Sequence, residues 1–225
     1  MSTYKYDLHV HSDETSPCGK VKAADVVKMY KKAGYSGIVI TDHYFDEFFE
    51  DLADMSWKEK VDCYLEGYRN ACAEGLKLGL KVILGMELRF DENFNDYLVY
   101  GIDEQFLLEY PELYRLDLQS FRELIEGSEI LIYQAHPFRP EIVAADPELL
   151  DGIEVYNGNP RHNSMNDKAA EYASEHGLME ISGSDFHQVQ DLARGGVLFT
   201  ELIETSDQLV AALKSKKIEG LIYTK

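Results

Sequence analysis

The sequence predicts an α/β domain built around a parallel sheet or barrel. Short apolar runs alternate with helix-like segments along the chain, which is the pattern of such folds. Glycines such as Gly34 and Gly177 directly follow two of the helical runs, where helices commonly end. The 225 residues, 45% of them hydrophobic, can bury a substantial core. Because no long linker or repeat interrupts the chain, we expect a single domain over residues 1–225.

Seven apolar runs are predicted to be the core strands, at residues 6–10, 37–41, 81–86, 97–102, 129–134, 152–156 and 179–183. Two further runs, at residues 196–200 and 221–224, are candidates for extra strands. The predicted helices lie at residues 23–33, 57–78, 119–126, 166–176 and 207–214. Ser206 is expected to cap the last of them. The segment 42–54, rich in acidic and aromatic residues, is predicted to be a loop, either a solvated surface loop or a lid over a functional site.

The charge of the chain limits its partners. With 22 basic and 41 acidic side chains, the formal net charge is −19. This argues against a broad phosphate-contacting surface for long nucleic acid, which requires a basic face. A local cationic site remains open, because bound metal ions can reverse the charge inside one cleft.

The cysteines and the lengths of the apolar runs predict a cytoplasmic protein. Cys18, Cys63 and Cys72 cannot all pair with one another, and the last two point to different faces of the predicted helix. Reduced thiols in a cytoplasmic protein are therefore expected. The polar start of the chain leads directly into a strand, which predicts no signal peptide. No apolar run approaches the roughly 20 residues of a membrane-spanning helix.

Five of the seven histidines stand at or just beyond the C-terminal end of a predicted strand. Two carboxylates share that placement, and the full set is His9, His11, His43, His136, His187, Glu87 and Asp185. His9 and His11 are two residues apart in one strand, so they share a face. A parallel barrel brings its strand ends to one rim, where such folds place their chemistry. Nitrogen and oxygen donors in this number predict two or three zinc, manganese or iron ions.

Each histidine also has a structural interpretation. A single histidine at a strand end, such as His43, is more often structural than a ligand, and only the coincidence of several strand ends favours a metal centre. His176 stands at a helix end before Gly177, where positive charge is favourable, and is expected to be structural. His162, in the loop after the sixth strand, can face either the surface or the site.

These residues stand in motifs that resemble those of the PHP (polymerase and histidinol phosphatase) superfamily. The match runs in the family's order from about residue 6 to about residue 200. The motifs are Asp7-Leu8-His9-Val10-His11-Ser12, Thr41-Asp42-His43, the strand ending at Glu87, His136-Pro137, and Ser184-Asp185-Phe186-His187. Any one of them is weak, but the five together are specific. The resemblance implies one PHP domain, folded as a distorted TIM-like (β/α)7 barrel with its metal site at the C-terminal face of the strands.

The resemblance further implies up to three divalent ions in this chain. The first would be held by four residues, His9, His11, Glu87 and Asp185. Glu87 would bridge to a second ion that His136 also binds, and His43 and His187 would hold a third. Asp42 would orient one of the imidazoles.

Two positions depart from the family pattern. Many members have a histidine on the fourth strand, where this chain has Asn95-Asp96-Tyr97; Asp96 can replace that ligand and Tyr97 can line the pocket. Members also tend to have a histidine or aspartate shortly after the first motif. Cys18 stands near that place, with Asp13 as its rival. Cys18 is expected to be either a thiolate ligand, which would favour zinc at the third site, or an unligated loop thiol.

The implied ions support hydrolysis of a phosphate ester. They would activate a bridging hydroxide and stabilise the leaving oxygen, with His9, His11, Glu87 and Asp185 as the catalytic ligands. The sequence shows no Gly-x-Ser-x-Gly motif or P-loop that would indicate another mechanism. The residues expected to bind the phosphate are Arg139 and Arg161, with Arg194 as a further candidate.

The expected substrate is a small phosphomonoester, with no membrane partner and no long nucleic acid. Three alternatives remain open: a non-catalytic metal-binding PHP module, a nuclease or phosphodiesterase, and an amidohydrolase-like metallohydrolase. Seven core ligands in a free-standing chain argue against the first. The third usually has eight strands and a lysine bridge, whereas this chain has Glu87 after the third strand.

Overall fold

The computed structural model describes residues 3–215 and 217–224, which contain one continuous ten-stranded sheet. The strands are β1 Tyr4–Val10, β2 Gly37–Ile40, β3 His43–Tyr44, β4 Lys81–Arg89, β5 Asp96–Tyr100, β6 Leu131–Gln134, β7 Gly152–Asn157, β8 Met179–Gly183, β9 Gly195–Phe199 and β10 Ile218–Tyr223. The helices are α1 Ala23–Lys32, α2 Asp46–Glu50, α3 Trp57–Tyr64, α4 Glu66–Leu78, α5 Glu104–Glu109, α6 Leu118–Leu124, α7 Asn166–His176 and α8 Ser206–Lys214. Short 3₁₀ turns lie at Leu113–Arg115, Pro147–Leu149 and Val189–Asp191.

The sheet curls into a nearly closed barrel. Its strand order is β10-β9-β1-β2-β4-β5-β6-β7-β8, and β3 pairs with the far end of β4. The gap between β1 and the end of β8 is narrowed by a parallel bridge from Val10 to Phe186. The backbone N–H of His11 also donates to the Phe186 carbonyl at 2.9 Å. The predicted α/β class and the barrel shape are confirmed.

The sheet is not parallel throughout, and the count of seven strands is not confirmed. β5 runs antiparallel to both β4 and β6, and β9 runs antiparallel to β1 and β10. Only residues 90–95 connect β4 to β5, whereas a parallel pair needs a crossover of about a dozen residues or more. The two runs named as candidate extra strands form β9 and β10, and β3 has no counterpart among the predicted strands.

Two predicted segments have a different structure. The segment 42–54 is not a loop, since it contains β3 and α2, and the buried rings of Tyr44 and Phe49 anchor it at a centroid distance of 4.7 Å. The predicted helix 57–78 is two helices, α3 and α4, separated at Leu65. The Thr15 hydroxyl donates to the Tyr64 carbonyl at 3.0 Å, which competes with continuation of the helix at this point.

Helices cover the outside of the sheet. α1 buries Val26, Val27 and Tyr30 and packs beside α4. α8 is capped by Thr205 and not by Ser206, because the Gln208 N–H donates to the Thr205 hydroxyl at 3.2 Å. The three cysteines are free thiols. Within the described residues, no helix combines the length and the apolar composition that crossing a membrane would require.

Candidate metal centre

The directions of the strands determine which residues meet. Six strands, β1, β2, β4, β6, β7 and β8, run the same way, so their C-terminal ends share one rim of the barrel. β5 runs the opposite way and therefore brings its first residue, Asp96, to that rim. A cavity of about 370 Å³ opens there, and its lining includes His43, Glu87, His136 and Asp185.

Glu87 lies at the centre of this cluster, in contact with four imidazoles. Its Oε1 is 3.1 Å from both His9 Nε2 and His136 Nε2. Its Oε2 is 3.3 Å from His11 Nε2 and 2.8 Å from His43 Nδ1. All of these contacts are buried or nearly so. One carboxylate therefore joins residues from the ends of β1 and β6 and from the start of β3.

The strand that carries Glu87 is longer than the sequence predicts. Residues 85–89 of β4 pair with β5, so Glu87 lies inside the strand and not after it. Its backbone N–H also donates to the Asp42 carbonyl at 3.1 Å. Because β5 on one side and Asp42 on the other both hold the Glu87 backbone, the direction of the Glu87 carboxylate is well defined.

Asp185 and His187 complete the cluster from the end of β8. Asp185 Oδ1 is 3.5 Å from Nε2 of both His9 and His11, and 3.2 Å from His187 Nδ1. Asp185 has a φ of 51° and His136 a φ of 29°, a region that non-glycine residues rarely occupy. Such strain persists only where the surrounding structure enforces it, and it concentrates at functional sites.

The polar atoms of the cluster fit divalent metal ions. Several of these short contacts do not form hydrogen bonds, so buried atoms without a hydrogen-bond partner among the described residues include His9 Nε2, His11 Nε2, His43 Nδ1, His136 Nδ1 and Glu87 Oε2. Each such atom costs roughly 1–3 kcal/mol, a cost that a bound cation would remove. Four overlapping groups have ligand atoms within 4.8 Å of one another, namely His11/His43/His187, His9/His136/Asp185, His9/His11/Glu87 and His43/Glu87/Asp96. Imidazole and carboxylate donors of this kind bind zinc, manganese or iron.

The surroundings of the imidazoles suit metal binding. Burial lowers the pKa of His11 well below its usual value, and the neighbouring His187 and His43 lower it further. His11 is therefore held in the neutral form that binds metals. Burial also disfavours charge on His9, but carboxylates, first of them Glu87, outweigh burial and raise the pKa of His9 well above its usual value. A bound cation would take over this positive charge beside the carboxylates.

Glu154 orients His9, a contact that the sequence analysis missed. Its Oε1 is 2.9 Å from His9 Nδ1, and its Oε2 accepts the His136 backbone N–H at 3.0 Å. The bond at Nδ1 leaves His9 Nε2 directed at Glu87 with its lone pair free for a metal. The signal in the sequence is an acidic residue within the apolar strand Gly152-Ile153-Glu154-Val155, because a buried acid requires a partner.

A second chain of polar groups reaches His11. Ser16 Oγ is 3.1 Å from His11 Nδ1 and donates to Asp42 Oδ1 at 2.7 Å. Asp42 also accepts from the backbone N–H and the hydroxyl of Ser12, at 2.6 and 2.7 Å. Among the described residues, Asp42 thus reaches an imidazole only through Ser16. The resemblance implies instead that Asp42 itself orients an imidazole.

Arg139, expected to bind phosphate, holds a carboxylate of the cluster. Its Nη2 donates to Asp185 Oδ2 at 2.5 Å and to Asn157 Oδ1 at 2.7 Å. Its Nε donates to Ser164 Oγ at 3.0 Å. These bonds orient the Arg139 guanidinium towards Asp185. Arg139 is therefore placed to position Asp185, a candidate metal ligand. A direct contact of Arg139 with substrate stays a prediction.

The other arginines near the cleft are also engaged. Arg161 forms an ion pair with Asp191, and its expected phosphate contact likewise stays a prediction. Arg194 Nε donates to the Gly158 carbonyl at 2.8 Å. Lys20, which the sequence analysis did not single out, lines the cleft, and its Nζ contacts the Pro17 carbonyl at 3.3 Å. Over residues 3–215 and 217–224, no carboxylate lies within ion-pair distance of the Lys20 ammonium.

Cys18 faces the cleft, whereas Asp13 does not. Cys18 Sγ is 3.2 Å from His43 Nε2, and Asp13 forms an exposed ion pair with Lys22 at 2.8 Å. Burial alone would raise the pKa of the Cys18 thiol, but hydrogen bonds with His187 and His43 lower it to about 6. Of the two candidates, Cys18 is the one whose side chain reaches the histidines.

The three remaining candidates, Asp96, Tyr97 and His162, differ in how they lie relative to the cluster. Asp96 Oδ2 is 3.8 Å from His136 Nε2, but both its oxygens also accept from Arg89, at 2.8 and 3.0 Å. Tyr97 is buried and its hydroxyl accepts from the Asn95 side chain at 3.2 Å. His162 lines the cleft, where burial lowers its pKa.

Comparison with known proteins identifies a family. The PHP domain family matches residues 7–218 of this chain. No curated protein matches the sequence significantly.

Several solved structures share the fold. A two-domain protein from Bacteroides vulgatus ATCC 8482, described as containing a predicted PHP-like metal-dependent phosphoesterase, is 18% identical with a TM-score of 0.71; the alignment covers 99% of this chain and 65% of that one. PsfC from Pseudomonas syringae PB-5123 is 17% identical with a TM-score of 0.68, covering 100% and 93% of the two chains. An amidohydrolase from Chromobacterium violaceum is 16% identical with a TM-score of 0.56, covering 92% and 96%. At these identities, the likeness shows a shared fold.

Proposed function

The chain belongs to the PHP domain family, and we propose on this basis that it hydrolyses a small phosphomonoester with two or three divalent ions bound in the cleft. The observation that carries the proposal is the placement of Glu87, whose two oxygens lie within 3.3 Å of nitrogens from four imidazoles. A buried ion pair needs only one partner for its carboxylate. Here two imidazole nitrogens lie near each of the two oxygens, which would let the carboxylate bridge two ions that the imidazoles also bind.

The residues of the chain have separate roles in this proposal. Bound ions would activate water for attack at phosphorus and stabilise the leaving oxygen. Glu87 and Asp185 supply the negative charge that retains the ions. Glu154 keeps His9 in the tautomer that offers Nε2. Arg139 keeps Asp185 in place through its bond of 2.5 Å.

The shape and charge of the cleft support a small substrate. A cavity of about 370 Å³ suits a compact molecule and not a length of duplex. Lys20 lines the cleft, and its ammonium, which donates one hydrogen bond to the Pro17 carbonyl, has further donors for a phosphate. Outside the cleft, the net charge of −19 repels a polyanion and slows its approach.

We expect metal-loaded protein to prefer small phosphomonoesters over phosphodiesters and DNA. The test compares kcat/KM on p-nitrophenyl phosphate, bis-p-nitrophenyl phosphate and single-stranded DNA at matched metal and salt. The monoester should be favoured over DNA by at least about tenfold, the lower end of electrostatic effects on association. The preference over DNA should weaken as salt screens the repulsion. Equal or higher efficiency on DNA at low salt would instead assign the chain to a nuclease or phosphodiesterase.

A further inference from the structure

We propose that Cys18 supplies a thiolate ligand to a metal ion held with His43 and His187, so that this part of the centre selects zinc or another thiophilic divalent ion. The inference rests on the proposed metal centre and is independent of the substrate. It concerns a residue at which the chain departs from the histidine or aspartate of the family pattern.

His43 presents one nitrogen to Cys18, and His187 lies beside the same thiol. His43 Nδ1 lies 2.8 Å from Glu87 Oε2, and its other nitrogen, Nε2, lies 3.2 Å from Cys18 Sγ. His187 Nδ1 lies 2.9 Å from the Asp185 carbonyl and 3.2 Å from its carboxylate, and His187 also hydrogen-bonds to the Cys18 thiol. The sulfur thus lies beside two imidazoles, each of which already has its Nδ1 oriented by an acidic residue.

A buried imidazole provides a second, independent indication of a ligand at this place. His11 is fully buried, and its Nε2, although 3.3 Å from Glu87 Oε2, has no hydrogen-bond partner among the described residues. Its ring centroid lies 4.4 Å from that of His43 and 4.2 Å from that of His187. The ligand atoms of these three imidazoles fit within 4.8 Å of one another. A cation among them would satisfy the orphaned nitrogen.

The loop that carries Cys18 is tied to the same residues. The Gly19 N–H donates to the Ser16 carbonyl at 2.9 Å, and the Lys20 N–H donates to the His187 carbonyl at 2.8 Å. A Cβ at Gly19 would lie 2.5 Å from the Ser12 carbonyl oxygen, so only glycine allows this close return of the loop. The position of Cys18 is therefore fixed relative to His187 by backbone contacts.

A sulfur donor changes which ions this position favours. Thiolates bind zinc and cobalt well, whereas manganese and magnesium prefer oxygen ligands. With cysteine and histidine together, the donor set is of the kind that zinc takes in proteins. Zinc should therefore exclude manganese from this position.

Cobalt(II) spectroscopy tests the thiolate directly. Metal-free protein loaded with cobalt(II) should show visible d–d absorption and a near-ultraviolet sulfur-to-cobalt charge-transfer band. The band should be lost in Cys18→Ser and persist in Cys63→Ser and Cys72→Ser. The last two variants are matched controls, because neither Cys63 nor Cys72 lines the cleft. Cys63 contacts Met55 Sδ at 3.9 Å, and Cys72 hydrogen-bonds to Tyr68. One equivalent of zinc should remove the band, and one equivalent of manganese should not.

The outcomes separate this inference from the proposed function. Cys18→Asp should keep the visible cobalt absorption without the charge-transfer band, which shows that the metal remains when oxygen replaces sulfur. Visible absorption without the band in the unmodified protein, or a band that survives Cys18→Ser, overturns thiolate ligation and leaves the metal centre standing. Absence of any cobalt absorption overturns both the inference and the metal centre.

Discussion

Replacement of Glu87 with glutamine is expected to abolish stoichiometric metal binding and to lower kcat/KM on a small phosphomonoester by at least about 100-fold. Residues that only support metal ligands typically contribute ~10–100-fold to metal affinity or activity, and Glu87 contacts the four imidazoles itself. Glutamine keeps the volume and one acceptor oxygen but removes the charge that holds the ions bridged by Glu87.

Elemental analysis of gently purified protein, with metal supplied, measures the first effect, and steady-state kinetics measures the second. Glu87→Gln should keep the far-ultraviolet circular dichroism of the unmodified protein, because the barrel core does not depend on the charge. Glu129→Gln is a matched control, since that carboxylate is exposed and pairs with Lys214. Full metal content with near-normal turnover in Glu87→Gln would place the metal site elsewhere.

Replacement of Arg139 with alanine is expected to lower metal affinity and kcat together, by about 10–100-fold, with a smaller change in KM. The guanidinium holds Asp185 Oδ2 at 2.5 Å and is itself held by Asn157 and Ser164. Without it, the Asp185 carboxylate loses its orientation. A residue that only binds the phosphate in the ground state would instead raise KM and leave kcat unchanged.

Metal titration followed by kinetics at saturating metal separates these two roles of Arg139. Arg122→Ala controls for the loss of an arginine–aspartate pair, because Arg122 donates to Asp151 at 2.7 Å outside the cleft. The Arg122→Ala variant should keep the metal affinity and the turnover of the unmodified protein. If Arg139→Ala raised KM alone, the sequence-based assignment of Arg139 to the phosphate would be correct and a positioning role would be wrong.

The candidate ligands could be named from sequence because each is a local feature of a strand end. His9 and His11 share a face by their spacing, and the motif around Asp185 and His187 follows an apolar run. Knowledge of the strand order is not needed to expect them at one rim, provided that the strands are parallel. The structure brings all seven predicted ligands into one cluster, although their role as ligands stays a prediction.

The partners of those residues could not be predicted, since they depend on contacts distant in the chain. Arg139 pairs with Asp185 across 46 positions, and Glu154 reaches His9 across 145. Asp96 reaches the rim because β5 runs antiparallel to β4. In the sequence, the short connection at residues 90–95 is the feature that indicates this direction. The aromatic residues in 42–54 indicate burial more than a lid, and Tyr44 and Phe49 are indeed in the core.

The number of ions required for activity tests the central claim most directly. Metal-free protein is titrated with manganese(II) or zinc(II), and p-nitrophenyl phosphate hydrolysis is measured against equivalents bound per chain. A multinuclear centre around Glu87 predicts little activity at one equivalent, a rise as further equivalents bind, and at least two ions per chain at full activity. Full activity with one ion or fewer per chain, or activity unchanged in metal-free protein, would contradict it.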